Sequence, residues 1–241
     1  MKIEEIRKLQ QKKYREEFGC FLLEGEHLVQ ELQKAAVKDA RLRTSEIYLT
    51  RDFRNWKSQL SVHEVSAHYM EQITETRSPQ GITAVVPLVP AVAPRSGERA
   101  IYLHQIQDPG NLGTILRTLA WFGNFRCLLS PDSVDAYNGK ALRASMGAIF
   151  HVPVEAGVEL ASLRDRFERI ACLDLAGEPI ASPAFRDFEC YVYGNEGRGL
   201  PREALSGLRT KPFTIAGSGV MESLNVAAAV TICQYELHRA G

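Results

Sequence analysis

The sequence predicts an α/β protein with two domains, the second of which contains a mostly parallel sheet. Three observations support this prediction. Short apolar runs alternate with helical patterns along the chain. In the second half, polar or glycine-rich loops follow strands and precede helices, as in parallel βα units. Between the halves, residues 87 to 97 read PLVPAVAPRSG, which is typical of a linker.

The composition excludes several classes of protein. Of the 241 residues, 45% are hydrophobic and 24% are charged, which excludes a disordered or fibrous chain. The 29 Lys and Arg residues balance 29 Asp and Glu residues, so a globally basic nucleic-acid coat is excluded but a local basic patch is not. The apolar stretch from 81 to 94 is interrupted by Pro87 and Pro90 and is too short to cross a bilayer. The charged N-terminus lacks the apolar core of a signal peptide.

The cysteine pattern predicts free thiols and a cytoplasmic protein. The chain contains an odd number of widely spaced cysteines and no CxxC pair, so we expect neither a structural zinc site nor any other metal site. Buried free thiols are typical of a reducing cytosol. The five are Cys20, Cys127, Cys172, Cys190 and Cys233.

The first domain is predicted to span residues 1–90, followed by a linker at 91–97. A charged helix from Lys2 to Phe18 is expected first, then an apolar strand from Cys20 to Leu23. The segment from Glu26 to Ala36 has apolar residues at helical spacing. Three β-branched or apolar runs predict the remaining strands: Ile47 to Leu49, Ser61 to Val65 and Ile82 to Val86.

The second domain is predicted to span residues 98–241 and to alternate between strands and helices. The predicted strands are Ala100 to His104, Arg126 to Leu129, Arg169 to Leu173, Cys190 to Tyr193 and Pro212 to Ile215. The predicted helices are Leu112 to Phe122, Lys140 to Met146, Leu160 to Glu168, a short helix from Pro201 and a final helix from about Leu224 to Arg239.

Three loops of this domain carry the candidate functional residues: a first loop (Gln107 to Thr118), a second loop (Tyr193 to Ala204) and a third loop (Ile215 to Asn225). Ligands bind at the carboxyl ends of the strands in open parallel sheets. In the first loop, Arg117 lies four residues after Gly113 and could reach a phosphate, although a solvated surface arginine fits the pattern equally well.

The second and third loops leave several interpretations open. The second has the order G-x-x-G-x-G, which differs from a dinucleotide fingerprint and would by itself indicate only a tight turn. The third opens a helix that is apolar nearly all round and needs cover from the fold or from a second subunit. Ser223 could be its N-cap or mark an anion site, and Asn225 needs a partner if it is buried.

Together, the three loops resemble the signature motifs of the SpoU-like (TrmH-type) RNA ribose 2′-O-methyltransferases of the SPOUT class. The matching strings are N-L-G-x-x-x-R at Asn111 to Arg117, N-E-G-x-G-L at Asn195 to Leu200 and S-L-N-V at Ser223 to Val226. The stretch from Ala141 to Val154 resembles the family's spacer. The first half is similar to the family's substrate-binding domain, an α/β fold like certain RNA-binding ribosomal proteins.

The resemblance implies a deep trefoil knot in the C-terminal domain, a homodimer formed through that domain, and S-adenosylmethionine as methyl donor. It implies transfer to a ribose 2′-hydroxyl, with ribosomal RNA the expected substrate and transfer RNA the alternative. A non-catalytic RNA-binding assembly factor is a second alternative, and the glycine order argues against a nicotinamide oxidoreductase. The implied donor contacts are Gly194, Asn195, Glu196, Gly197, Ile215, Ala216, Ser223 and Leu224.

The resemblance also implies the catalytic group, with Arg117 as the family's usual candidate for removing the hydroxyl proton. A guanidinium is a poor base, so the alternative role of Arg117 is to hold the target phosphate and stabilise developing alkoxide charge. The residues that would position it or the ribose are Asn111, Glu196, Ser223 and Asn225. The third loop departs from the family's Ile-Pro-Met, since Ile215 is followed by Ala216 and Gly217, which should loosen it. The predicted RNA contacts are Lys8, Lys12, Lys13, Arg15 and Arg143.

Overall fold

The computed structural model describes residues 1–195 and 197–239. The chain folds into two compact units. Unit 1 comprises Met1–Pro90 and Asp135–His151. Unit 2 comprises Ala91–Val134 and the described chain from Val152 onward. No helix among the described residues is long and apolar enough to cross a membrane.

Unit 1 is a four-stranded sheet with helices. The elements up to residue 90 are α1 (Ile3–Lys8), α2 (Lys12–Phe18), β1 (Cys20–Glu24), α3 (Glu26–Lys38), β2 (Glu46–Leu49), β3 (Ser61–Glu64), α4 (Ala67–Ile73) and β4 (Ile82–Pro87). Strand β4 lies between β1 and β2 and is antiparallel to both, whereas β3 is parallel to β2 at the edge. Short 3-10 turns occupy Ala40–Thr44 and Arg51–Phe53.

The predicted single helix from Lys2 to Phe18 is wrong, because the chain forms two helices with a break between them. The Arg15 guanidinium donates to the carbonyl oxygens of Leu9 (2.7 Å) and Gln10 (3.0 Å). A continuous helix would use both carbonyls in its own backbone ladder. A buried side chain thus holds the two helices apart. The sequence pattern also missed α4.

Residues 135–151 leave the second half of the sequence and pack into unit 1. They contain α6 (Gly139–Ser145) and a 3-10 turn at Ala148–Phe150. Leu142 joins the core formed by α3 and the sheet, and the ring of Tyr137 lies 4.8 Å from that of Phe21. Asp135 pairs with buried Arg15 at 2.6 Å.

Unit 2 confirms the predicted parallel sheet. The strands among the described residues are β5 (Arg99–Leu103), β6 (Phe125–Leu129), β7 (Val154–Glu155), β8 (Ile170–Pro179), β9 (Cys190–Tyr193) and β10 (Thr210–Thr214). These six strands are all parallel, in the order β10-β8-β9-β5-β6-β7. The helices are α5 (Pro109–Phe122), α7 (Leu163–Arg166), α8 (Arg202–Ser206) and α9 (Val226–His238).

A buried ion pair stabilises the amino-terminal side of this sheet. The guanidinium of Arg126 is 3% exposed and lies 2.7 Å from the equally buried carboxylate of Glu98. It also pairs with Glu155. Removing one partner of such a pair leaves the charge of the other buried in the protein interior, which solvates it poorly.

The expectation of buried free thiols is confirmed for the cysteines of both units. All five are free, and only Cys20 is partly exposed. Burial raises the pKa of Cys127 and of Cys233 to about 12. These thiols are therefore protonated and inert at physiological pH.

Candidate functional site

The first and second loops lie at the carboxyl edge of the sheet, after the neighbouring strands β5 and β9. The amide of Asn195 holds the second loop against the end of β5, just before the first loop. Its Nδ2 donates to the backbone oxygen of Gln105 at 2.7 Å. Its Oδ1 accepts from the backbone N–H groups of Gly197 (2.9 Å) and Arg198 (3.0 Å). Asn195 thus shapes its own loop and fixes that loop to the end of β5.

Gly194 and Gly199 allow the second loop to fold back closely on itself. A Cβ at Gly194 would lie 2.5 Å from the backbone nitrogen of Leu200, which is closer than real Cβ contacts allow. Gly199 has a φ of +69°, which favours glycine, and nothing lies within 4 Å of where its Cβ would be. Gly194 therefore permits the tight turn, and Gly199 leaves open space beside the loop.

A second side-chain amide joins the first loop to the third. Asn225 is the N-cap of α9, and its Oδ1 accepts from the backbone N–H groups of Ala227 (2.9 Å) and Ala228 (3.3 Å). Its Nδ2 donates to Oδ1 of Asn111 at 3.0 Å. Asn111 lies in the first turn of α5, where its backbone N–H donates to the capping Asp108. Asn225 therefore caps α9 and connects the third loop to the first.

This arrangement decides one of the two interpretations of Ser223. Ser223 is not the cap, since Asn225 caps a helix that begins at Val226, two residues after the predicted start near Leu224. Asn225 is exposed but has the side-chain partner that its polarity requires. Helices α5 and α9 also meet farther along, where the hydroxyls of Thr118 and Thr231 lie 3.1 Å apart.

Arg117 lies on the exposed side of α5. Its neighbours Ile115 and Leu116 are fully buried, so they fix the helix against the sheet while the guanidinium faces solvent. Within the described residues no carboxylate pairs with it. The side chain is therefore available to an anion. Gly113, one turn earlier on the same helix, is buried.

The third loop presents apolar and small side chains at the surface. Ile215 is half-buried, whereas Ala216, Gly217 and Ser223 are exposed. Leu224 is 53% exposed. Further exposed apolar side chains lie on the same loop and on α5 and α9: Val220, Met221, Trp121, Ile232 and Tyr235.

Sequence reasoning missed His104, which follows β5 directly. Its Nδ1 is buried and has no hydrogen-bond partner among the residues that the structure describes. Desolvation lowers the pKa of its imidazole, which favours the neutral ring. The residue was predicted only as the end of an apolar strand, and neither its burial nor its unpaired atom could be read from that pattern.

The predicted RNA contacts fall into two groups. Lys8, Lys12 and Lys13 are exposed, and the ammonium groups of Lys8 and Lys13 lie 5.3 and 5.6 Å from the centre of the Tyr14 ring. Arg15, in contrast, is buried and fully engaged.

Arg143 faces carboxylates rather than open solvent. Its Nη1 lies 3.7 Å from Glu24 and 3.9 Å from Glu75. Glu196, the remaining site prediction, lies outside the described residues.

A parallel sheet with polar and glycine-rich loops at its carboxyl edge is typical of the α/β proteins that bind a ligand there. Comparison with known proteins identifies the family. Residues 98–235 match the model of the SpoU rRNA Methylase family, and residues 1–84 match that of the MRM3-like substrate binding domain. The chain therefore belongs to the SpoU rRNA Methylase family, which confirms the resemblance seen in its motifs.

The relatives cover almost the whole chain. The 23S rRNA (guanosine(2553)-2′-O)-methyltransferase RlmP of Bacillus subtilis is 32% identical over 98% of this chain and 95% of its own length. A putative RNA methyltransferase of the TrmH family from Porphyromonas gingivalis has a TM-score of 0.84 and 29% identity, covering 99% of this chain and 97% of that one. An AdoMet-bound rRNA methyltransferase from Sinorhizobium meliloti has a TM-score of 0.83 and 26% identity, covering 99% and 94%.

Proposed function

We propose that this protein transfers a methyl group from S-adenosylmethionine to a ribose 2′-hydroxyl of RNA, with ribosomal RNA as the substrate. The observation that carries the proposal is a pair of amide bridges. Asn225 to Asn111 joins the third loop to the first, and Asn195 to Gln105 holds the second loop against the chain just before the first. The family and the rRNA methyltransferases among its relatives support the same reaction.

The loops fit a donor that is held by main-chain groups. Open space lies beside Gly199 and Gly217, where an added Cβ would meet nothing within 4 Å. The exposed Leu224 offers apolar surface. A bound sulfonium donor would supply an electrophilic methyl carbon. We assign its binding to Gly194, Asn195, Gly197, Ile215, Ala216, Ser223 and Leu224, with Glu196 as a further candidate from the motif.

Arg117 has the chemistry to orient the RNA. Its exposed guanidinium can grip a phosphate with two parallel hydrogen bonds. As a fixed cation it would also stabilise negative charge as the 2′-hydroxyl loses its proton. Asn111 and Asn225 would set the position of the helix that carries Arg117. Ser223 would position the ribose or Arg117, as would Glu196.

A homodimer is part of the proposal. Trp121 is 84% exposed on α5, and Tyr235 is 59% exposed on α9. These large rings form an apolar surface on helices that also carry the site. Burial of such a patch against a second copy would remove it from water. Light scattering at micromolar concentration should give the mass of two chains, and a monomer there would contradict the dimer.

The domains divide the work. We assign RNA binding to residues 1–90, methyl transfer to the domain at 98–241, which we infer to be knotted, and the connection to 91–97. Lys8, Lys12 and Lys13 would contact phosphates beside the ring of Tyr14. The five free thiols favour a reducing compartment, and we infer that the protein acts in the cytoplasm.

The decisive experiment is transfer of a labelled methyl group to ribosomal and transfer RNA, with ribose methylation mapped in cells with and without the protein. We expect label in ribosomal RNA. Label only in transfer RNA would reassign the substrate, and none in either RNA would favour an assembly factor. Arg117→Ala should bind donor normally and lose at least a hundredfold in rate, on the order of one electrostatic contact in the transition state. A wild-type rate would remove Arg117 from the mechanism.

A further inference from the structure

A cavity of about 630 Å³ lies in unit 1, at the carboxyl end of α3. Its volume is within the range of pockets that hold small ligands. Three of its side chains are cationic and none is acidic, whereas three others are amides or a hydroxyl. The lining residues are Gln33, Lys34, Ala36, Val37, Arg43, Lys57, Ser58, Gln59 and Leu60.

The three cations differ in how they are held. Arg43 donates to the carbonyl oxygens of Ala36 (3.2 Å) and Val37 (3.4 Å), so its guanidinium is fixed at the end of α3. Lys34 is paired with Glu31 at 2.7 Å. Lys57 is exposed and makes no ion pair within the described part of the chain. The cavity therefore has one preorganised cation and one that is available to an incoming anion.

Gln33 supplies a polar atom without a partner. Its Oε1 is buried and accepts no hydrogen bond from any described residue. A buried amide oxygen left in this state costs free energy, so the site favours a ligand that brings an N–H donor. Beside it, the 64% exposed side chain of Val37 offers an apolar surface that a flat ring can cover.

We propose that this cavity binds one unpaired nucleotide of the RNA substrate, away from the nucleotide that is methylated. Unpaired RNA bases are recognised by hydrogen bonds to their edges together with packing on their faces, which Gln33 and Val37 can provide. The adjoining phosphate would lie against Lys57 and Arg43. This inference rests on the proposed function, because it assumes that RNA is the substrate.

The test is direct binding of ribosomal RNA fragments to the full chain at several salt concentrations. Lys57→Ala should weaken binding about tenfold and reduce the slope of log affinity against log salt by about one, because one phosphate contact is lost. Gln33→Leu keeps the side-chain size but removes the acceptor. We expect this variant to bind about tenfold more weakly to RNA fragments that carry some bases at the contacted position than wild type does, with an unchanged salt slope.

Lys38→Ala is the matched control, since Lys38 is an exposed cation at the end of the same helix but does not line the cavity. Circular dichroism and donor binding would verify that each variant is folded. If Lys57→Ala and Gln33→Leu bind RNA as tightly as Lys38→Ala does, with the same salt slope, the proposal is wrong. The proposal would also be overturned if Lys57→Ala abolished the binding of free mononucleotides but left RNA binding unchanged.

Failure of this proposal and failure of the proposed function are distinguishable. Binding is measured without methyl transfer. Wild-type protein that binds RNA but never methylates it would therefore refute the proposed methyltransferase activity, while its binding data would still test the proposed nucleotide site. Protein that methylates RNA, with Lys57 and Gln33 variants that bind like wild type, would refute only the cavity.

Discussion

Asn225 offers the sharpest test of the site because its two polar side-chain atoms have different roles. Oδ1 caps α9 and Nδ2 bridges to Asn111. Asn225→Ala removes both, whereas Asn225→Ser keeps a good capping oxygen but is too short to reach Asn111. Loss of a cap costs about 1 kcal/mol, and loss of an exposed hydrogen bond costs about 0.5–1 kcal/mol. We therefore expect Asn225→Ala to lose roughly 1.5–2 kcal/mol of unfolding free energy and Asn225→Ser only about 0.5–1 kcal/mol.

Activity should separate from stability in the serine variant. If the bridge positions the loops for the reaction, loss of about 1 kcal/mol in that arrangement lowers kcat/KM about fivefold. Urea denaturation followed by circular dichroism gives the free energies, and single-turnover transfer of labelled methyl gives the rates. Asn225→Ser with wild-type rate and a wild-type affinity for the donor would refute a positioning role. Equal stability of the serine and alanine variants would refute the capping role.

Three further predictions concern the second loop, the core and the thiols. Gly194→Ala should lower donor affinity at least tenfold in calorimetry, because the new methyl group displaces backbone that folds against it; unchanged affinity would contradict the close approach. Arg126→Ala should lower the unfolding free energy by about 3–5 kcal/mol, because it leaves the Glu98 carboxylate buried without its cation. If urea denaturation shows a loss under about 1 kcal/mol, another group must compensate the charge of Glu98. At pH 8, alkylation of native protein should modify Cys20 before Cys127, whose pKa of about 12 leaves roughly one thiolate in ten thousand; equal labelling would show that the core opens.

The central strands of unit 2 were predictable because each is a short, mostly apolar run. Cys190–Tyr193 has the predicted bounds, and Phe125–Leu129 differs from its prediction by one residue. At the edges the prediction was poorer, since Val154–Glu155 was missed and Ile170–Pro179 extends six residues past its predicted end. A strand buried on both faces needs a nearly continuous apolar sequence, and few other structures tolerate one. The parallel arrangement and the place of the three loops follow from that pattern.

Long-range side-chain contacts explain what the sequence did not reveal. The break after Lys8 depends on Arg15 reaching back to backbone carbonyls, whereas local periodicity favours an unbroken helix. The choice of Asn225 over Ser223 as the cap depends on Asn111, which lies 114 residues away along the chain. Both residues of the third loop are good caps by type, so only the tertiary partner distinguishes them.

The path of residues 135–151 constrains how this chain can be divided. A fragment that ends at Pro90 would lack Asp135, leaving the Arg15 guanidinium without the carboxylate that lies beside it. It would also uncover the ring of Phe21 and open a gap where Leu142 sits. The amino-terminal unit therefore depends for its own interior on a stretch encoded in the second half of the sequence. A gene fusion or recombination event that exchanges only the first 90 residues would have to match that distant stretch as well.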